Sequence, residues 1–550
     1  MHVLLLAPNA PAEVPTVDSS TLFASYLDTP DAHTHIPNNT FAGFRYGAFN
    51  FFEGDNLVAA AFPDYRKVDV RSFGATGDGT TDDTAAVLAA LAAQQDGEIL
   101  YFPTGTYVIS DMLRIRAGNR ALMGDGPDKT VLHFQRSLSD LIGKYLKSPP
   151  EDWYNRWSNH GGLIWIAPGD AWNEDGSYRY MDPGPKGLDI GWHSTETIGS
   201  VVGEWQRGDR VIQLRCPPDV TAADLEQGLL IMAWKNDPDN DLVVHMSGHE
   251  SFRDYPWASA FRLTPRDWRW LVEIKQATRQ EDGSWTVELR QPLRVNIRSQ
   301  WQVEVQRPLG VAGAVPYIEN FAIQGMTLRM NNPHPFRHGR DLGFNGVYFQ
   351  RAFNCLIHNV NVWDADNGIT VGSSKCVTIK HTKLLGDTKR HHGYYFRYLV
   401  HDSIVTDFHI GKCGNEALSI SYRSSGCVFH NGTLEEGTLD SHRGLTFDLI
   451  RSNITLTANT GNQSGGSSAG PRNGARVVHW NIFDKSGKGR NVGVINDHPS
   501  GVLAGIHADA FVTGDSSAMP SGDKGILVTP LNVEAVPTDL YRAMMDYRDE

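Results

Sequence analysis

The chain has 550 residues, a net charge of −13 and no Lys/Arg-rich tract. Phosphate backbones demand a basic footprint, so nucleic acid is excluded as a partner. No apolar run has membrane-spanning length, so no membrane partner is expected, and the 54 glycines with few helical periodicities point to a turn-rich β protein.

Residues 1–64, rich in Pro, Asn and aromatic side chains, read as an irregular arm packed on the rest. The run Val3 to Ala7 lacks a basic start, so no complete signal peptide is visible; a secreted or periplasmic location is expected from the substrate class argued below. Residues 65–139 open with Val68-Asp-Val-Arg-Ser-Phe-Gly-Ala-Thr-Gly-Asp-Gly-Thr-Thr-Asp-Asp-Thr-Ala-Ala-Val-Leu-Ala-Ala-Leu91, then Gly97-Glu-Ile-Leu-Tyr-Phe-Pro-Thr-Gly-Thr-Tyr-Val-Ile109. They predict a strand, a glycine-rich turn, a helix capped near Thr81 with Asp82 and Asp83 at its positive end, and a second strand. An alanine-leucine helix here covers the open end of a β-helix. The stretch resembles the N-terminal signature of the pectate-lyase-like superfamily of right-handed parallel β-helix proteins. That resemblance implies the fold and, for function, carbohydrate as the substrate or ligand, because lyases, hydrolases, epimerases and tailspikes share it.

Residues 140–315 interrupt the period and read as a β-rich insertion, with hairpins turning at Gly208-Asp209 and Asp282-Gly283. Its segment His245 to Trp257 offers His249 and Trp257 as substrate-binding residues, against the plainer reading that they pack the insertion. Asp237-Pro-Asp-Asn-Asp241 has oxygens for calcium, but a solvated acidic turn is favoured. No cofactor and no metal ligand are therefore assigned.

Residues 316–515 resume the coils. Five short runs recur there: Gly346-Val-Tyr-Phe-Gln350, Gly368-Ile-Thr-Val-Gly372, Gly393-Tyr-Tyr-Phe-Arg397, Ala417-Leu-Ser-Ile-Ser421 and Gly444-Leu-Thr-Phe-Asp448, starting 22, 25, 24 and 27 residues apart. Such a period suits a solenoid whose coils stack at about 4.8 Å. The fold class is all-β: a right-handed single-stranded parallel β-helix with an N-terminal capping helix and a β-rich insertion. Alternation sends Val347, Phe349, Ile369, Val371, Tyr394, Phe396, Leu418, Ile420, Leu445 and Phe447 into the bore. It leaves Tyr348, Gln350, Thr370, Tyr395, Arg397, Ser419, Ser421, Thr446 and Asp448 on an outer face. Cys355, Cys376 and Cys427 fall at equivalent inward positions as a stack of buried thiols. Gly461 to Gly474 reads as a long loop, and residues 516–550 as a tail ending in a short helix. The sequons at Asn38, Asn431, Asn453 and Asn462 are read as chance matches.

Polar residues gather at the corner before each run. The candidate catalytic residues are His391, His392, Asp440, His442, Tyr395 and Asp366; Arg397, Arg443, Asp364, Glu416 and Asp448 join them as substrate-binding residues. A lone corner histidine usually serves a turn. The pair His391-His392 facing Asp440-Ser-His-Arg443 is harder to explain that way, whereas Asp364 and Asp366 have turn readings of comparable weight and Asn345 and Asn367, each before a glycine, are read as turn residues.

Such a groove suits an extended acidic glycan, a polysaccharide or oligosaccharide rich in uronate. β-Elimination needs a cation on the carboxylate, a base for the C5 proton and an acid for the departing oxygen, which Arg397 or Arg443, a histidine, and Tyr395 supply. Hydrolysis instead needs two carboxyl groups flanking the bond, and Asp364, Asp366, Glu416, Asp440 and Asp448 offer pairs. Elimination is preferred for the repeated His-Arg groups. The calcium motifs of pectate lyases and the aspartate series of polygalacturonases are absent, and Asp440-Ser-His-Arg443 only loosely resembles an epimerase motif. A non-catalytic tailspike-type module is the third reading. The oligomer is left open between monomer and homo-oligomer, a trimer included.

Overall fold

The computed structural model describes residues 17–148, 151–173, 178–179, 195–253, 268–310, 315–335, 337, 339–387, 390–412, 416–459, 470–486, 498–508, 526–527 and 531–549. Two parallel sheets form a β-helix. The long sheet stacks Arg66–Asp69, Glu98–Phe102, Arg120–Gly124, Phe321–Met330, Ala352–Trp363, Lys375–Leu385, Ile404–Ile410, Ser425–Gly437, Phe447–Asn459, Val477–Asp484, Val502–His507 and Ile526–Leu527. The short sheet stacks Leu113–Ile115, Ile164–Ile166, Val347–Gln350, Asn367–Gly372, His392–Arg397, Glu416–Ser421 and Leu439–Ser441.

The short sheet alternates as its sequence predicts for four of the five runs. Val347, Ile369, Tyr394 and Leu418 lie in register, as do Phe349, Val371, Phe396 and Ile420, and all eight belong to one buried core. The fifth run differs. Leu418 pairs with Leu439, so Leu439–Ser441 is the rung that follows Glu416–Ser421, and Phe447 instead opens the next strand of the long sheet opposite Ser425.

The reason lies in the backbone of the corner between the sheets. Left-handed residues turn the chain into the long sheet, and the last of them in each coil form a row: Asn354, Cys376, Asp402, Gly426, Asp448 and Arg476, with φ between 49° and 72°. Asp448 and Cys376 are members of this row. Cys355 therefore pairs with Val377 and Cys427 with Leu449 inside the core, where burial pushes both thiols up to about 12. Cys376 instead faces Leu229, Ile231, Leu271 and Phe353, so two of the three cysteines keep the inward row, and Val377 and Ser403 separate them within it. A second left-handed row, Gly325, Asn359, His381, Asp407, Asn431, Asn453, Asn481 and Gly505, bends the long sheet midway. Asn and Asp tolerate that conformation better than branched residues, which accounts for the asparagines of two sequons.

The helix Thr84–Ala93 closes one end, burying Val87 and Ala90 in the same core as Leu100 and Phe102. It starts at Thr84, with Asp83 and not Thr81 at its N-cap. The Asp83 carboxylate turns back to accept from the Thr76 amide (2.6 Å) and the Gly77 amide (3.1 Å) and gives the helix no cap bond. The helices Ser19–Asp28 and Leu540–Asp549 share an apolar cluster with Ile404, Val428, Ile450 and Val478 on the outside of the long sheet. No helix among the described residues is long and apolar enough to cross a membrane.

Ile164–Ile166, within the stretch read as insertion, is a rung of the short sheet between Leu113–Ile115 and Val347–Gln350. The chain departs on either side of this rung. Residues 135–163 leave from the corner before the short sheet. Residues 167–317 leave from the corner after it and include a seven-stranded antiparallel sheet running from Thr195–Val202 to Glu304–Pro308, with Gly208 and Gly283 left-handed in its hairpin turns. That sheet packs Leu399 and Phe447 into its tryptophan-rich core. A buried ionic joint completes the contact: Arg294 and Lys375 both pair with Asp402, Lys375 Nζ donates to Gln291 Oε1 (2.6 Å), and Arg294 Nη1 donates to Asn39 Oδ1 (3.1 Å).

Candidate active site

Asn345, Asn367, His392 and Glu416 occupy one row across four coils. Asn367 Nδ2 donates to Asn345 Oδ1 (2.8 Å), His392 Nδ1 donates to Asn367 Oδ1 (2.7 Å), and His392 Nε2 pairs with the Glu416 carboxylate. A ladder of turn asparagines thus runs directly into a histidine and an acid. His391, one residue earlier, stacks on His392 at 4.0 Å between ring centroids and donates from Nδ1 to Asp341 Oδ2 (2.9 Å). His392 in turn stacks on Tyr395 at 4.5 Å.

The next outer row pairs Tyr395 with Ser419 and Ser419 with Asp440. Asp440 accepts from Ser419 Oγ (2.7 Å) and from His442 Nδ1 (3.0 Å). Glu416 joins the two halves of the site: its Oε2 lies 3.8 Å from His391 Nε2 and 3.7 Å from His442 Nδ1. The His442 side chain is 22 % exposed, against 2 % for both His391 and His392. Tyr395 OH hydrogen-bonds Ser421 Oγ (3.2 Å), and its ring lies 6.0 Å from the Arg397 guanidinium.

Burial opposes the charged form of every ring here, and the neighbouring charges decide the outcome. Asp440 and Glu416 push His442 up to about 9 despite burial. Asp341 and Glu416 likewise hold His391 above its ordinary value. Burial and the His391 charge bring His392 down to about 4. Glu416 would rise on burial, but His392 and His442 hold it well below the usual carboxylate range. Burial lifts the Tyr395 phenol well above its ordinary value, which keeps its proton available for donation.

The outer face read as exposed is covered. Tyr348, Gln350, Thr370, Tyr395, Arg397 and Ser419 are at most 4 % exposed. Part of the cover is the segment that leaves the corner before Ile164–Ile166: Asn345 Nδ2 donates to the carbonyls of Trp157 (2.9 Å) and His160 (2.7 Å), and Arg397 Nη1 donates to the Asn159 carbonyl (2.5 Å). Arg397 also reaches His160 Nδ1 (3.3 Å), and no carboxylate of a described residue lies within ion-pair distance of it.

Of the residues singled out in the sequence, His391, His392, Tyr395, Arg397, Glu416, Asp440 and His442 come together. Asp366 is close by but turned away, accepting from the Gly343 and Phe344 amides (3.0 Å each) and from Asn332 Nδ2 (2.8 Å); burial and Asp341 push it up to about 6. Asp364 holds the corner through the Arg390 guanidinium and the Asp387 amide (3.1 Å), the turn role already open to it. Arg443 donates to the Gly470 carbonyl (2.7 Å).

Asp448 does not join the site. It lies at the opposite corner, bonded by Arg476 Nε (2.6 Å) and 3.6 Å from Arg294, because the fifth run was misplaced in register. His249 sits in the insertion edge-on to Phe252, beyond Gly248, which packs beside Ala475. Trp257 and most of the loop Gly461 to Gly474 lie outside the described residues. Asp237 accepts from the Asp239, Asp241 and Leu242 amides and from Trp301 Nε1 (2.8 Å), an intramolecular turn that uses both its oxygens. Asp341 and the covering residues Trp157 to His160 escaped the sequence reading, since they lie on loops outside the repeat.

Residues 67–152 match the family model described as Rhamnogalacturonase A/epimerase, pectate lyase-like. Over that segment the chain resembles the pectate-lyase-like family, and the coils described above are those of a parallel β-helix. Among curated proteins, the "Non-secreted LysM effector LysM19" of Penicillium expansum is 34% identical over 80 residues, a match covering 13% of this chain and 6% of that protein. Similar solved structures include the tailspike protein gp49 of Pseudomonas phage LKA1, at 12% identity and TM-score 0.34, covering 76% of this chain and 71% of that one. An exopolygalacturonase of Thermotoga maritima aligns at 10% identity and TM-score 0.31, covering 76% and 75%.

Proposed function

We propose that this β-helix is a polysaccharide-degrading enzyme that cleaves an acidic, uronate-containing glycan by β-elimination. The observation that carries the reading is Arg397, a buried guanidinium with no carboxylate partner among the described residues, set beside Tyr395 on the row that leads to His442. A buried cation without a counter-ion is costly, and a uronate carboxylate would supply one in the fork geometry that guanidinium favours. With the carboxylate so neutralised, the C5 proton acidifies. His442, oriented by Asp440, takes that proton in its neutral form, and Tyr395 donates to the departing oxygen. Because Asp440 and Glu416 hold the His442 ring up at about 9 despite burial, elimination is expected to rise as pH climbs toward that value.

Hydrolysis fits less well. Glu416 and Asp440 both hydrogen-bond or pair with histidines on one side of His442, and Asp366 is held by two backbone amides and an asparagine. None is placed as a free acid across a bond from a second carboxylate. A purified preparation assayed on a panel of acidic polysaccharides separates the readings. Elimination gives ultraviolet-absorbing unsaturated uronate ends; reducing ends without absorbance would show a hydrolase, and binding with neither product a tailspike-type module.

A further inference from the structure

We infer that His391, His392 and Glu416 form a binding site for one divalent transition-metal ion, with Asp341 and Asn367 as its supporting shell. The ligand atoms of the three residues lie within 4.8 Å of one another, and a second group, Glu416, Asp440 and His442, meets the same limit through the shared glutamate. The hydrogen bonds distinguish the first group. His391 commits Nδ1 to the Asp341 carboxylate and His392 commits Nδ1 to the Asn367 amide oxygen, so both rings turn Nε2 toward Glu416. Metal-binding imidazoles are characteristically fixed in this way, the far nitrogen on an oxygen acceptor that sets tautomer and ring direction.

His442 also commits Nδ1, to Asp440, but it is this same Nδ1 that faces Glu416, so the nitrogen nearest the glutamate is already spent. His442 borders the ion and is not assigned as a ligand. Two imidazoles and one carboxylate leave coordination positions open and suit zinc, iron or nickel; calcium, which takes six or more oxygens, is the wrong ion for this donor set. His442, given a proton-transfer role, lies beside the shared Glu416, while Tyr395 stacks on the face of the His392 ring. At its open positions the ion would draw in an oxygen ligand. That this oxygen is a uronate carboxylate rests on the proposed lyase reading; the existence of the site does not.

The test uses the full chain, stripped with chelator and titrated with Co²⁺, whose visible spectrum reports coordination without any turnover. One equivalent with a four- or five-coordinate spectrum, displaced by Zn²⁺ and not by Ca²⁺, is the expected result. His392→Ala and Glu416→Gln abolish the spectrum, Asn367→Ala weakens binding about 10–100-fold, and His442→Ala keeps the stoichiometry. A folded native chain that gives only the spectrum of aqueous Co²⁺ overturns the site, and so does a spectrum that survives in a folded Glu416→Gln protein. A chain that binds the ion yet produces no unsaturated ends keeps the site and loses the lyase reading. Elimination by a stripped chain with no Co²⁺ spectrum does the reverse.

Discussion

His442 is the histidine of the cluster whose side chain reaches solvent, and its Nδ1 donates to the Asp440 carboxylate. Replacing it with alanine is expected to lower turnover by about 10²–10⁴-fold. The melting temperature should change little, because a partly exposed side chain leaves Asp440 with its Ser419 bond. Steady-state assay and thermal melts of the same preparation check both halves. The same substitution at His391 is not innocent: that ring is buried, and its loss removes the cation beside Asp341 and leaves that carboxylate the Arg337 amide, so a drop in activity there comes with a drop in stability. For Arg397, lysine is a poor replacement, since an ammonium lacks the fork and would have to leave the Asn159 carbonyl or the substrate unsatisfied. Arg397→Lys is therefore expected to raise KM for the acidic glycan at least several-fold, read from saturation curves beside the native chain. These residues were legible because strand register alone brings positions of neighbouring coils together. Asp341 was not, since nothing in the sequence of a long loop says which coil it will touch.

The asparagine ladder shows how an element is read correctly and under-read at once. Asn345 and Asn367 look like turn residues before glycines, which they are, yet each also ties one coil to the next and to the cover through Trp157. Asn367→Ala removes bonds on both sides of the row and leaves buried acceptors behind, a loss of about 1–3 kcal/mol expected in denaturant unfolding. The fifth run failed for a related reason. Gly444-Leu-Thr-Phe-Asp448 imitates the short-sheet pattern, but its residues serve the left-handed corner and the first position of the long sheet. Apolar alternation cannot separate a rung from a corner of similar composition. Only a count of left-handed residues per coil would have done so, and backbone angles are not written in hydrophobic pattern.

At the scale of the molecule, the insertion and the arm are joined to the coils through Asp402, where Arg294, Lys375, Gln291 and Asn39 converge. Asp402→Ala leaves buried Lys375 without its carboxylate and Arg294 with only the more distant Asp448, 3.6 Å away, and is expected to cost about 3–5 kcal/mol. Burial would raise this carboxyl, but Arg294 and Lys375 hold it down at about 2. Its folded value thus lies below the ordinary ~3.9 of the unfolded chain, so its contribution is full above that value and fades as pH falls toward the folded one. Melting temperatures of native and variant proteins should therefore converge as the pH is lowered through this window. A gap that stays constant there would assign the loss to packing and not to charge.

The central claim is that parallel coils bring Arg397, Tyr395 and His442 to one uronate and break it by elimination. Mass spectrometry of the products formed in heavy-oxygen water addresses this directly. The account predicts a new non-reducing end lighter by one water, with no heavy oxygen incorporated at the cleaved bond, and no such product from His442→Ala. A product that carries the solvent oxygen and no double bond would contradict it.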